Sequence, residues 1–218
     1  EFPNDEGEPY KSSGGKMVYN EELDKEIPER WVVKHLGDIS NCLDNRRKPL
    51  SKEERAVRQG TVPYYGAMSI VDYIDDYIYD GDYLLFSEDG ANIIDENGYP
   101  ALQYVSGKFW LNNHSHILEG TKEISIQFLF NALSKINVSD IVTGAAQPKI
   151  NQHNMNSIRI LTATTLIHQN FNKLVISGYE LVKYNIKEIH LLTVLQAVLL
   201  SKMSLVEENK LSKMNMVL

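Results

Sequence analysis

Apolar positions along this chain change rhythm twice. Residues 1–30 show neither a two-residue nor a 3.6-residue repeat. Glycine, serine, proline, asparagine and charged residues dominate there, so the stretch reads as a linker. An apolar seed follows at Trp31, Val33, Leu36 and Ile39. From about residue 60 to 160 the pattern is short strands and turns. "YIDDYIYDGDYLLFSEDGA" (73–91) alternates aromatic or aliphatic residues with acids and predicts a turn at Asp80-Gly81-Asp82 before the apolar run. "ALQYVSGKFWLNNHSHIL" (101–118) predicts two strands joined through Ser106-Gly107. In "ISIQFLFNALSKI" (124–136), Ile126, Leu129, Phe130 and Leu133 recur at helical spacing and predict one amphipathic helix. "TGAAQPKINQHNMNSIRIL" (143–161) returns to loop and ends in a brief strand over 157–161.

The last third has a different period. From 164 to about 203, Phe171, Leu174, Gly178, Leu181, Ile189, Leu192, Leu195 and Leu199 recur at three- and four-residue steps with no proline. Such a helix would run roughly 55–60 Å at 1.5 Å per residue, more than a small domain covers, so its stripe calls for a partner helix. Gly178 weakens the helix and marks a kink or a close helix–helix approach, and the alternative for the whole segment is two shorter helices folded back as a hairpin. The expected organisation is a linker over 1–30, a globular head over 31–163, a long helix over 164–203 and a tail over 204–218 that departs from the helical pattern. The fold class is α+β: a mixed α/β head of short strands followed by a long coiled-coil helix.

Composition narrows the chemistry. A chain of 218 residues, 43% hydrophobic, can bury one real core. No apolar run is long enough for a bilayer span, and the N-terminus lacks the apolar stretch of a signal peptide. With Cys42 alone there is no internal disulfide framework and no multi-cysteine zinc site, and a soluble cytoplasmic protein is expected. The net charge of −7 argues against indiscriminate nucleic-acid binding. Its distribution is uneven: 46–58 holds six basic residues and two glutamates, whereas 59–107 holds no lysine or arginine.

Catalytic signatures are missing. There is no Gly-x-Ser-x-Gly elbow, P-loop or Gly-x-Gly-x-x-Gly, nor the Asn-Pro-Pro-Tyr motif of a DNA methyltransferase, so no cofactor is expected. Cys42 shows no local sign of activation and reads as an inert thiol. His114 and His116 share a strand face and could ligate zinc together. A third and fourth ligand are not supplied nearby, and no metal is expected. What remains is polar loops. Asn and Gln can pair with adenine, Arg and Lys with guanine or phosphate, and small residues let a backbone approach a ligand. On composition alone these loops are equally ordinary turns.

The same stretches, "EIPERWVVKHLGDI" (26–39), "PYYGA" (63–67), "DGDYLLFSEDGA" (80–91), "GKFWLNNHSHIL" (107–118) and "TGAAQPKINQHNM" (143–155), resemble in order and spacing the specificity subunits of type I restriction–modification enzymes. "LVISGYELVKYNIKEIHLLTVLQAVLLSKM" (174–203) is similar to that family's long spacer helix. The resemblance implies a target recognition domain that reads one half of a bipartite double-stranded DNA site. It implies a spacer helix that pairs antiparallel with another, and separate methyltransferase and restriction subunits that carry the catalysis. Full subunits carry two recognition domains and two helices, so one of each here implies a half-subunit, or a C-terminal half, that homodimerises through its helix. The alternative function is a helical scaffold that recruits partner subunits, with DNA contact secondary. Candidate DNA-binding residues are Arg46, Arg47, Lys48, Lys52, Arg55, Arg58, Tyr64, Tyr65, Gly66, Gly144, Gln147, Lys149, Asn151 and Gln152. Trp110 is expected to anchor a strand, and Asn112, Asn113, His114 and His116 after it to brace the reading loops, the alternative being that this turn contacts DNA.

Overall fold

The computed structural model describes residues 2–67 and 69–215, with side chains other than those of His190 and residues 204–215. Two compact units divide at Lys173/Leu174, ten residues into the predicted helix rather than at its start.

The first unit is built on a six-stranded sheet. Its strands, in chain order, are β4 (Asn41–Cys42), β5 (Gln59–Tyr65), β6 (Ile70–Ile74), β7 (Tyr79–Ser87), β8 (Leu102–Leu111) and β9 (Ser115–Glu119), and they lie side by side as β4-β9-β7-β8-β5-β6. β5 meets β8 in parallel, and every other pairing in this sheet is antiparallel. A second ladder pairs β3 (Val32–His35) with β10 (Arg159–Thr162), bringing residues from the two ends of the head together.

The two expected turns are corrected here. Asp80-Gly81-Asp82 and Ser106-Gly107 lie inside single strands, paired with each other as Asp80↔Lys108, Gly81↔Gly107 and Asp82↔Ser106. Both glycines have positive φ, 146° at Gly81 and 88° at Gly107, which only a residue without Cβ adopts at low cost. Opposed across a ladder they make a corner rather than a chain reversal. Pairing shows why one is needed. β8 leaves β7 at Tyr79↔Phe109, yet β9 begins opposite the far end of β7, at Ser87↔Ser115. Residues 112–114 must bridge that gap, and at no more than about 3.6 Å per residue they reach only if the ladder bends back on itself.

Alternation along the bent strands fills a core on each side. Leu84, Phe86 and Leu118 face Leu36, Ile39, Leu129, Leu133, Met155 and Ile160 on one side. Tyr83 and Leu85 face Tyr65, Tyr79, Phe109, Leu111 and Ile117 on the other. Each such aliphatic side chain gains about 1.5–3 kcal/mol on burial. The predicted helix is present as α3 (Ile126–Leu133), capped by Ser125, whose hydroxyl accepts from the Phe128 amide. α1 (Leu36–Ile39) and α4 (Gln152–Asn156) are single turns; α4 falls where loop was expected, because the Asn151 side chain caps it by accepting from the Asn154 amide.

Residues 1–30, expected to be linker, carry a hairpin of β1 (Met17–Asn20) and β2 (Lys25–Pro28). The hairpin leaves Val18, Tyr19 and Glu26 outside the core, so no strong alternation marked it. α5 (Thr165–Asn215) is one helix of 51 residues, not a hairpin. Its backbone continues to Asn215 through most of the expected tail, whose side chains and final residues 216–218 lie outside the described residues. In the second unit Leu174, Leu181, Ile189, Leu192, Leu195 and Leu199 are all exposed, and a Cβ at Gly178 would meet nothing within 4 Å. Among the described residues, no helix is long and apolar enough to cross a membrane.

Candidate nucleic-acid interface

The basic segment after β4 folds first into a single 3-10 turn, Asp44–Arg46, and then into α2 (Lys52–Ala56). Ser51 and Glu54 close a reciprocal capping box at the start of α2, the Ser51 hydroxyl accepting from the Glu54 amide and the Glu54 carboxylate from the Ser51 amide. This places Arg47 against the end of β7. Its guanidinium donates to Glu88 at 2.6 Å and to the Ser115 carbonyl at 2.8 Å, and pairs with Asp44 at 3.1 Å. Glu88 also receives Lys149 at 2.9 Å. His116 is buried at the centre. One ring nitrogen lies 2.5 Å from Asp44 and the other 2.8 Å from the Ile150 carbonyl. Both partners offer acceptor oxygens. The Ile117 amide completes Asp44 at 3.0 Å.

Burial pushes both carboxyls up, and their partners outweigh it. Asp44 is held below its ordinary value by the His116 hydrogen bond and charge, the Ile117 amide and Arg47. Glu88 is held below its own by hydrogen bonds from Arg47 and Lys149 and by the charges of His116 and Arg47. The cluster knits four loops into one platform. Ser115 donates to the Ala67 carbonyl at 2.7 Å, and the Asn112 amide donates to the Tyr65 carbonyl. His114 contacts Asp89 at 2.8 Å, and the Gly90 amide donates to the Pro148 carbonyl. A pair of bonds between Thr143 and Lys149 closes a finger over residues 144–148. Its tip, with Gly144 at positive φ and Gln147, is exposed.

Several of the residues expected at the DNA have partners within the head. Arg47 belongs to the buried cluster, and Lys149 is held by Glu88. Arg55 binds Asp72 at 2.9 Å and stacks on Tyr64. Arg58 binds Asp75 and Asp76 and stacks on Trp110. Arg46 is exposed, yet donates to the Ile78 carbonyl and lies over Tyr79. Tyr64, Tyr65 and Gly66 are buried: the Tyr64 hydroxyl accepts from the Leu50 amide, and Tyr65 packs edge-on against Phe109. Asp72, Asp75 and Asp76, from the stretch without lysine or arginine, are the partners that hold Arg55 and Arg58. Lys48 and Lys52 are exposed and form no ion pair among the described residues. Gln147 and Gln152 are exposed, and Asn151 caps α4. In the strand motif, the Trp110 indole donates to the Lys48 carbonyl at 2.6 Å, Asn112 accepts from the His114 amide, and Asn113 is exposed.

The two histidines considered as a zinc pair face different partners. Among the described residues, ligand atoms of Cys42, Asp44 and His116 lie within 4.8 Å of one another. They do not fit a metal. Both His116 nitrogens are engaged, Arg47 already supplies the cation beside Asp44, and burial, which pushes the Cys42 thiol up to about 12, works against a thiolate there.

A family model described as the type I restriction modification DNA specificity domain matches residues 28–162, the span of the sheet, both cores and the ion cluster. The chain belongs to this family. A putative type I restriction enzyme specificity subunit of Haemophilus influenzae, S.HindORF215P, is 32% identical over 127 residues, covering 58% of this chain and 32% of the relative. The MjaIX type I specificity subunit of Methanocaldococcus jannaschii is 26% identical over 215 residues, covering 90% of this chain and 48% of its own. The chain thus spans half or less of the curated relatives it matches. The crystal structure of a type I S subunit from M. genitalium shares the fold, with a TM-score of 0.55 at 20% identity over 77% of this chain and 44% of that one. As a specificity-domain protein, the chain has its family match in the head and its 51-residue helix beyond it.

Proposed function

We propose that this chain is a non-catalytic reader of DNA sequence in a type I restriction–modification system. The observation that carries the reading is the specificity-domain match over 28–162, which coincides with the folded head. The head binds one half of a bipartite duplex target, and methyltransferase and restriction subunits supply the chemistry in the cytoplasm. The exposed residues around the loop platform, Lys48, Lys52, Asn113, Gln147 and Gln152, meet the duplex. The buried cluster sets where they stand and does not itself touch DNA. The apolar stripe of α5 pairs with a second α5, giving a two-headed particle with two-fold symmetry. That pairing is supported by six stripe residues left exposed in a single chain.

The test is duplex selection from a random pool by the full chain, alone and with its methyltransferase subunit, followed by titration against salt. Lys48→Ala with Lys52→Ala should leave the fold intact, weaken binding across all sequences and reduce the salt slope by about one per lost phosphate contact. A chain that enriches no sequence, in either form, refutes the reading. A monomer at micromolar concentration refutes the helix pairing.

A further inference from the structure

Residues 2–10 contribute nothing to the two cores, nor to a smaller cluster of Leu50, Tyr64, Ile74 and Trp110, yet they are held by their own bonds. The Asn4 side chain accepts from the amides of Glu6 and Glu8, and the Tyr10 amide donates to the Phe2 carbonyl. Phe2 packs against Trp31 at 5.0 Å. Gly7, at φ 89°, allows the reversal at the tip.

This loop delivers Asp5 to the first turns of α5, within the first unit. The Asp5 carboxylate accepts from the Thr164 hydroxyl at 2.9 Å and pairs with Arg30 at 3.3 Å, while its carbonyl accepts from the Asn170 side chain at 3.2 Å. Thr164 caps the helix, its oxygen accepting from the Ile167 amide. A carboxylate here also faces the positive end of the helix dipole. The other side of the same turns is held by α3: Ser125 donates to Asn172 at 2.5 Å, and Phe128 packs edge-on to His168 at 4.5 Å and to Phe171 at 5.9 Å. The helix root is gripped from two directions by segments about 120 residues apart in the chain.

We infer that Asp5 is a positioning residue, a latch that fixes the root of α5 so that the helix can act as a ruler between half-sites. This rests on the DNA-reading function and the α5 pairing proposed above, with the distance between the two heads set by the paired helices. A latch that only added stability would leave the choice of half-site spacing unaltered. A positioning latch narrows that choice without touching the DNA.

Two measurements on the full 218-residue chain decide it. The first needs no DNA: amide exchange of 165–173 should quicken about tenfold in Asp5→Ala while β7 exchange is unchanged, and Asp5→Asn, which keeps an acceptor for Thr164, should stay near the wild type. The second is selection from a random duplex pool. Wild type should enrich two half-sites at one spacing, and Asp5→Ala the same half-sites at additional spacings. Unchanged exchange in Asp5→Ala overturns the latch. Faster exchange with an unaltered single spacing also overturns it, leaving Asp5 a cap and nothing more. If the wild type enriches no sequence, the DNA-reading function fails, and the exchange experiment alone still decides whether Asp5 holds the root.

Discussion

Replacing Arg47 by alanine isolates the energetic role of the buried cluster. The substitution removes guanidinium contacts to Glu88, Asp44 and the Ser115 carbonyl. The side chains involved are 15% exposed for Arg47, 8% for Asp44 and 11% for Glu88, so they belong with buried rather than surface pairs. Breaking a buried pair by deleting one partner costs about 3–5 kcal/mol, a large part of a typical total of about 5–15 kcal/mol. Lys149, 46% exposed on the same Glu88, is the internal control; its alanine variant should lose no more than about 1 kcal/mol. Urea unfolding followed by tryptophan fluorescence gives both values. The pH dependence adds a sign. Asp44 and Glu88 are held below ordinary carboxyl values, so the stability they contribute is present above those values and lost as the pH falls through the lowered ones. The Arg47→Ala penalty should therefore be largest near neutrality and shrink as acid protonates both carboxyls. A loss below about 1 kcal/mol, or one that does not change with pH, would show that Arg47 is an ordinary surface cation.

Two further outcomes test other parts of the head. Gly107→Ala should cost about 1–2 kcal/mol through backbone conformation alone, since a Cβ there meets nothing within 4 Å; chemical denaturation with no loss of stability would contradict the corner. His168 is pushed below 6.5 by burial and by the charge of Lys34, with Glu123 opposing, and its ring nitrogen accepts from the Ala163 amide. The unfolded chain therefore binds more protons once the pH drops under 6.5, and stability is lost from there down to the lower folded value. In His168→Gln that component of the pH profile should vanish, and an identical slope in both proteins would rule it out.

What could be read from sequence was periodic and local. Ile126–Leu133 and the stripe from Phe171 to Leu199 have helical spacing unbroken by proline, and both are helices. Gly81 and Gly107 carried a true signal of unusual backbone, but one sequence does not tell a turn from a corner. That distinction depends on the two glycines standing opposite each other across a ladder. The fate of the arginines was out of reach for a similar reason. Arg55 meets Asp72 17 positions away, and Arg47 meets Glu88 41 positions away, whereas local charge counting sees only a basic run followed by an acidic one. The acidic stretch without lysine or arginine was in retrospect the available clue, since a folded head must neutralise it from somewhere.

The pairing of β3 with β10 also has a consequence in time. Val32–His35 find their partners only at Arg159–Thr162, and β5 waits for the far end of β8. Contacts so distant in sequence close late and slowly. During synthesis, the early strands therefore leave the ribosome well before their neighbours exist. Until then their unpaired edges are open to mispairing, and the exposure lasts until the later strands are made.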